Sequence, residues 1–465
     1  MSTIRALTAP TAEELAAALN NTRCRLVECA VGDFTSVARG KMVHRDDFVA
    51  MAGCKLPSVV LGLTLTAGEP EAVFGPILPT DYSDMRLVPD LATLVARPGR
   101  DDEYTVLCEP AGSLALQDRS IEVATLSPRA ALRAVLRQLD AAGYTALAAP
   151  ELEFFLLGKE AASAPREHTW GSAVARGSLS RERSCEAYSL ERATHFDAYF
   201  DELYEACDVL RIPINGHAHE AAMSQYEVNF RPGEPLAQAD AVFRFKRLAR
   251  EVAARHGFLA SFAPKPFLDQ PGVGTHWHFS LQAKDKSLAW PHVFGDAGGA
   301  TQPALRHFIA GLQRHAPAAM ALFAPHDMAY DRIALSDASP SHASWGEESR
   351  ALAFRIPASS GRNRRVENRL PGGDANPYLT VAATLGLGLL GLREGKEPTT
   401  GTELPLPKAL PEALAALQAS TALREVLGGT LVAAYAAIKA HEHAERSACA
   451  DPRAEWDLPH LIELA

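Results

Sequence analysis

The stretch APELEFFLL, Ala149 to Leu157, is apolar and aromatic except for two carboxylates, Glu151 and Glu153. Its composition predicts a buried β-strand, on which side chains alternate between faces, so both carboxylates point the same way. Two like charges about 5–7 Å apart in a low-dielectric site repel by several kcal/mol unless something positive is shared between them. Three other strand-like segments break the apolar pattern in the same manner. HAHEAAMSQYEVNF carries Glu220 and Glu227 behind His217 and His219, THWHFSL carries His276 and His278 two apart, and RRVENRL sets Glu367 among arginines. A single glutamate on a strand is ordinarily on the solvated face, and a single HxH pair is ordinarily hydrogen-bonded at a surface. Five carboxylates with one or two histidines make a set rich in oxygen donors and free of thiols. Such a set suits the hard cations Mg²⁺ or Mn²⁺ rather than structural zinc. Glu151 and Glu153 are therefore expected to face a common cavity and to share two divalent metals. Without them, burial and mutual repulsion would raise one pKa sharply.

Six arginines, Arg350, Arg355, Arg362, Arg364, Arg365 and Arg369, fall within one short segment, with Arg332 upstream, in a chain of formal net charge −10. Beside a metal cluster, guanidinium forks suit phosphate oxygens and a phosphoryl group in transfer. No GxxxxGK[ST] loop or kinase signature set is present, so ATP is expected to be held by metal and arginine. Gly272 and Gly274 in PGVGTHWH would let the backbone approach a ligand closely.

These residues need elements to position them. A chain of 465 residues, 47% hydrophobic, has ample material for a large core and more than one domain. Its acidic balance argues against a nucleic-acid surface or an anionic membrane as partner. Residues 1–115 alternate short apolar runs (CRLVECAVGDF, SVVLGLTLTAG, ATLVARPG, YTVLCEP) with Gly and Pro, which predicts a small strand-rich domain. SPRAALRAVLRQLDAAG then predicts a helix with Ser127 as N-cap, Pro128 at its first position and Gly143 at its end, feeding into the opening strand. Residues 158–195 read as a polar surface excursion and residues 240–257 as a second helix. The apolar run Leu379–Leu392 is too short to span a bilayer; it predicts a buried helix capped by Asn376 with Pro377 at its start. The expected architecture is α+β: a domain over residues 1–115, then a large domain over 116–465 whose antiparallel sheet carries the polar residues on one face. Seven cysteines without a CxxC pair indicate a reducing cytoplasm, and the N-terminal segment has no signal for export.

The motifs PELEFF, HAHEAAMSQYE, PGVGTHWHFSL, FRIP, RRVENR and DANPYL occur in the order and style of the glutamine synthetase superfamily, and the chain resembles that family across the whole large domain. The N-terminal part is similar to its β-grasp domain, and the large part to its catalytic domain, a curved antiparallel sheet flanked by helices. The resemblance implies Glu153, Glu220 and Glu227 as ligands of one metal, and Glu151, His276 and Glu367 as ligands of a second. It implies His278, Ser280 and Phe230 at the nucleotide, Arg350, Arg355 and Arg365 at the phosphates, and Arg332, Arg369 and Gly272 at the acceptor glutamate. Of these, Arg350, Arg369 and Arg332 would be the catalytic residues. It further implies ATP as co-substrate, Mg²⁺ or Mn²⁺ as cofactor, a homo-dodecamer of two stacked hexameric rings, and no nucleic-acid or membrane partner.

The chain departs from true glutamine synthetases where ammonium is bound. In IALSDASP, Ile333–Pro340, Ala338 takes the place of the family's acidic residue, with Asp337 beside it. Thr64 or Thr66 stands about where an N-terminal Asp is expected, and Pro271 replaces the usual Asn. The stretch REGKEPTTGTELPLPKAL has no tyrosine for adenylylation-type control. The pattern is similar to the γ-glutamyl-polyamine and γ-glutamyl-monoamine ligases, with Asp337 or Glu347 and Glu348 able to meet a second ammonium. The alternatives are an ammonia-dependent glutamine synthetase using Asp337, a catalytically silent relative acting as sensor or assembly partner, and an HxH metallohydrolase. The complete set of six ligand positions disfavours silence, and the glutamate majority disfavours the hydrolase.

Overall fold

The computed structural model describes residues 7–159, 170–172, 182, 186–285, 287–336, 339–400 and 404–465. The first strands are β1 Leu26–Gly32, β2 Ala38–His44, β3 Cys54–Pro57, β4 Asp84–Pro89, β5 Val95–Ala96 and β6 Glu103–Ala111. They form a sheet in the order β2-β1-β6-β4-β3, with β5 also on β6. The hairpin β7 Ser113–Ala115 and β8 Ser120–Glu122 follows. A larger sheet comprises β9 Tyr144–Lys159, β10 Trp170–Ser172, β11 Ile214–His219, β12 Gln225–Phe230, β13 Leu259–Ser261, β14 Thr275–Ala283, β15 Trp345–Glu347, β16 Phe354–Ile356 and β17 Val366–Asn368. Its order is β11-β12-β9-β14-β17-β16-β15, with β10 and β13 also on β9. The pairing is not antiparallel throughout: β15 runs parallel to β16, as β1 does to β6.

Local chemistry accounts for the helices around these sheets. The Ser127 hydroxyl accepts from Ala130 N–H ahead of helix Pro128–Ala141, and Gly143, at φ +86°, ends it. Asn376 caps helix Pro377–Glu394 by accepting from Tyr378 and Leu379 N–H, as its sequence predicts. That helix lies against helix Pro303–Phe323, where a Cβ on Gly311 or Gly391 would run into the other helix's backbone. The close approach buries the apolar run. One contiguous core links Leu15 and Val27 of the N-terminal part to Leu132, Phe154, Trp277 and Leu379. No single helix among the described residues is long and apolar enough to cross a membrane, and the six cysteines among them, from Cys24 to Cys449, are unbridged.

Three expectations are corrected. The helix placed at 240–257 spans Pro235–Arg255, because the Glu234 carboxylate caps it and Pro235 suits its first position. SVVLGLTLTAG is not a strand but a short 3₁₀ turn, Ser58–Leu61, followed by a loop. There the Thr64 hydroxyl takes Gly68 N–H at 2.7 Å, while Leu65 N–H donates to Glu442 of helix Gly429–Ser447 at 2.7 Å. The excursion at 158–195 begins inside the sheet, since β9 runs to Lys159 and pairs with β10. A helix, Leu190–Thr194, lies near its end, and most of the stretch between falls outside the described residues.

Candidate active site

Cross-strand register brings the carboxylates together. Glu153 of β9 pairs with Glu227 of β12, and Glu151 pairs with Asn229 on one side and His276 of β14 on the other. His278 pairs with Glu367 of β17, which in turn pairs with Arg355 of β16. Because strands alternate with period two, all these side chains share one sheet face. Donor atoms of Glu153, Glu220 and Glu227 lie within 4.8 Å of one another, as do those of Glu151, His278 and Glu367, and those of Glu151, Glu227 and His276. The structure thus brings together all six expected ligands and adds His278, which stands closer to Glu151 (3.0 Å) than His276 does (3.8 Å). The donor set fits a hard divalent cation: carboxylate oxygens predominate, with imidazole second and no thiolate.

The electrostatics split the cluster in two. Burial, reinforced by Glu220, pushes the Glu153 carboxyl up to about 8, against the opposing effect of Arg332. Burial and the neighbouring Glu151 charge push Glu227 up to about 7. Glu151 goes the other way, because hydrogen bonding to His276 and His278 outweighs its burial and holds it well below the carboxylate range. Glu367 is fully buried; burial alone would raise its pKa, but His276, His278 and Arg369 hold it down. Arg355 and Arg369 each place an Nη1 2.5 Å from one of its oxygens. Burial and the Arg369 charge lower His276 to about 4, which leaves its ring neutral with a lone pair to offer.

The remaining predicted residues surround this face. Arg332, on helix Asp327–Ala334, is buried and donates from Nη1 to the Leu370 carbonyl at 3.2 Å. Gly272 packs on its stem: an added Cβ would meet Arg332 Cγ at 2.7 Å and the Pro264 carbonyl at 2.5 Å. The exposed Arg350 accepts from Arg369 Nε at its carbonyl, 2.9 Å, and its charge acts on Glu227. Arg365 Nε lies 3.2 Å from His278 Nδ1. A cavity of about 590 Å³ opens beside the carboxylates, lined by Glu151, Phe230, His278, Ser280, Arg362 and Arg365 among others. Phe230 reaches it from the far side of β12, its ring held edge-on to Phe245 at 5.5 Å.

Some expectations fall elsewhere. His217 stacks on Phe200 at 3.8 Å, and His219 faces the Glu182 carboxylate at 2.9 Å. Thr66 donates to Glu445 at 2.7 Å, tying its loop to helix Gly429–Ser447. Asp337 and Ala338 lie outside the described residues, while Glu347 and Glu348 are exposed.

The sequence reading missed Gln225, Asn229 and the Gly274 amide. Gln225 Nε2 donates to Glu153 Oε2 (3.2 Å) and to the Gly272 carbonyl (2.9 Å), and Gly274 N–H donates to Glu153 Oε2 at 2.7 Å. Asn229 Nδ2 donates to Glu227 at 2.9 Å. Both amides stand two residues from Glu227 on its strand, so extending the period-two rule would have found them. Gln225 is fully buried. Gln225→Leu is expected to cost about 1–3 kcal/mol of stability by orphaning the Gly272 carbonyl; a denaturant melt of the metal-free protein checks this.

Comparison with known proteins follows the same lines. The family model of the glutamine synthetase catalytic domain matches residues 125–456. A glutamate–isopropylamine ligase from Pseudomonas sp. is 30% identical over 451 residues, covering 93% of this chain and 94% of that one. Gamma-glutamylputrescine synthetase PuuA of Escherichia coli (strain K12) is 30% identical over 427 residues, covering 90% and 88%. Glutamine synthetase of Thermococcus kodakarensis is 33% identical over 320 residues, covering 65% and 67%. Among solved structures, ligand-free apo GmaS superposes with a TM-score of 0.76 at 26% identity, covering 96% of this chain and 98% of that one. A novel glutamine synthase homolog gives a TM-score of 0.77 at 26% identity, covering 95% and 99%.

Proposed function

The chain belongs to the glutamine synthetase family of ATP-dependent, glutamate-directed carbon–nitrogen ligases, and from that premise we propose that it joins L-glutamate to an organic amine through a γ-glutamyl phosphate. The observation that carries the ligase chemistry is a single sheet face on which two carboxylate clusters border a cavity lined by arginines. Support for an organic amine as acceptor comes from the two amine ligases, whose similarity runs along 93% and 90% of the chain, against 65% for the glutamine synthetase of Thermococcus kodakarensis and 82% for that of Halobacterium salinarum. Ala338, in place of the family's acidic residue, favours the same reading.

In this proposal Glu153, Glu220 and Glu227 hold one divalent cation, and Glu151, His276 and Glu367 a second, Mg²⁺ or Mn²⁺. Bound there, the cations supply Lewis-acid neutralisation of charge on the phosphates. His278, Ser280 and Phe230 take the nucleotide, Arg350, Arg355 and Arg365 face its phosphates, and Arg332, Arg369 and Gly272 hold glutamate. A γ-carboxylate oxygen of glutamate attacks the γ-phosphorus of ATP, and the bond to the bridging oxygen breaks to release ADP. The amine nitrogen then attacks the γ-carbonyl carbon; the carbon–oxygen bond to phosphate breaks, and the nitrogen loses a proton. Phosphoryl transfer of this kind depends chiefly on positioning and charge neutralisation. Glu367 serves that end by fixing Arg355 and Arg369 before substrate arrives. A cytoplasmic dodecamer of two stacked hexameric rings completes the proposal, and light scattering should give the mass of twelve chains.

Phosphate release from ATP, with glutamate and Mg²⁺ over a panel of ammonium, ethanolamine, putrescine, spermidine and monoalkylamines, tests the reading. Turnover is expected with at least one organic amine and not with ammonium alone. Activity confined to ammonium would establish the second reading, an ammonia-dependent glutamine synthetase, which the match to the Thermococcus enzyme favours. No turnover with any acceptor would overturn both.

A further inference from the structure

A second cavity of about 590 Å³ lies where helices Pro128–Ala141 and Pro235–Arg255 meet strand β9. Its lining combines the apolar Leu136, Leu139, Leu147 and Leu236 with the charged Arg129, Arg133, Asp90, Asp240 and Glu234. Arg129 and Asp240 are more than nine-tenths buried there. The guanidiniums are already engaged. Arg129 donates to Asp240 through Nε and Nη2 (2.8 Å each), to Glu109 through Nη1 (2.7 Å) and to Asp90 through Nη2 (2.7 Å). Arg133 donates to Glu109 and Asp90 at 2.9 Å. A guest anion would have to displace these carboxylates. Of the carboxylates that line the cavity, Asp90 and Asp240 are matched by the two guanidiniums, and Glu234, exposed at the mouth, leaves one negative charge over for a guest cation.

The cavity adjoins the one beside the metal-binding face. Tyr144 to Leu147 of β9 line the first and Leu147 to Glu151 line the second. Glu234 belongs to one and Pro232 to the other, and Gly233 between them pairs with Ala148 of β9. An occupant of the junction cavity therefore presses on the strand that carries Glu151 and on the wall of the adjacent cavity.

We propose that the junction cavity binds an amphipathic organic cation, its ammonium head beside Glu234 and Asp90 and its hydrocarbon body against the four leucines, and that occupancy alters nucleotide affinity next door. Its volume falls in the range of small-molecule sites, which are mostly apolar with a few polar groups fixing orientation. The binding half stands whether the acceptor of the ligase is an organic amine or ammonium.

Hexyltrimethylammonium is the probe, because it has no N–H and cannot be acylated. Titrated calorimetrically into the full chain with Mg²⁺ and ADP present, it is expected to bind one to one, whereas hexanoate gives no saturable heat. Ala237→Trp fills the mouth at an exposed position and should abolish binding. Glu234→Gln should weaken it about fivefold, the size of a partly exposed ion pair. Saturating probe should change the Kd for ADP. Binding that survives both variants unchanged, or equal binding of hexanoate, overturns the site. An unchanged Kd for ADP overturns the coupling. If circular dichroism shows that Ala237→Trp does not fold, the Glu234→Gln titration decides alone.

Discussion

Glu153→Ala is expected to abolish turnover, by about 10³-fold or more, while the protein remains folded. That loss corresponds to about 4 kcal/mol of transition-state stabilisation, the scale on which a divalent cation neutralises a phosphoryl group. Glu153 is singled out by its surroundings. It lies opposite Glu227 in the sheet, shares a donor cluster with Glu220 and Glu227, and is held by Gln225 and the Gly274 amide. Burial and Glu220 push its pKa to about 8, so an ionised Glu153 is costly unless a cation is present. A side chain that destabilises its own charged form serves binding rather than folding. Glu153→Gln separates the two roles: its carbonyl oxygen can still accept from Gly274 N–H, but the charge is gone. It should be as inactive as the alanine variant and, without metal, at least as stable as the unsubstituted protein above about pH 8. Steady-state phosphate release and denaturant melts with and without Mg²⁺ check both. An alanine variant that turns over at the original rate removes Glu153 from the metal assignment.

The parts of this face that were legible in the sequence are those that depend on one strand at a time. Glu151 and Glu153 share a face because strands alternate, and that holds in any fold that makes Ala149–Leu157 a strand. Asn376 and Pro377 announce a helix start for reasons confined to one turn. What could not be read depends on register between distant strands. Nothing local says that Asn229 stands opposite Glu151, or that Arg355 stands opposite Glu367 and joins Arg369 in gripping it. His278 was set apart from the ligands, yet the pairing of β14 with β17 puts it against Glu367 and within 3.0 Å of Glu151. The helix start at Pro235 was missed because GEP reads equally well as a turn until Glu234 is seen to cap it. The run SVVLGLTLTAG reads as one of the short apolar, strand-like runs of the N-terminal part, but Thr64 and Leu65 make their hydrogen bonds with Gly68 and with Glu442, far away in the chain. Propensity yields to tertiary contacts in such loops.

Divalent-cation affinity should rise steeply with pH, and binding should release protons. In the metal-free protein the carboxyls of Glu153 and Glu227 have pKa values near 8 and 7, both raised from the ordinary 4.5 by burial and by their acidic neighbours. At pH 6 both are protonated, and a cation must displace those protons to bind; at pH 8 most of that competition is gone. A carboxyl whose protonated form is favoured in the folded state stabilises the fold below its unfolded pKa and loses that contribution as pH climbs through the folded value. Metal-free stability should therefore decline between about pH 4.5 and pH 8, and added cation should restore it most where the decline is largest. Two linked protons with these pKa values give an increase in affinity of about 500-fold between pH 6 and pH 8. Glu151 and Glu367 add nothing to this slope, since His276 and His278, with Arg369 at Glu367, keep them ionised across the range. Titration calorimetry with Mn²⁺ in buffers of different ionisation enthalpy counts the protons directly, and Glu227→Gln should remove part of the release. A proton count of zero, or an affinity flat from pH 6 to pH 8, would mean that these two carboxylates do not bind the cation.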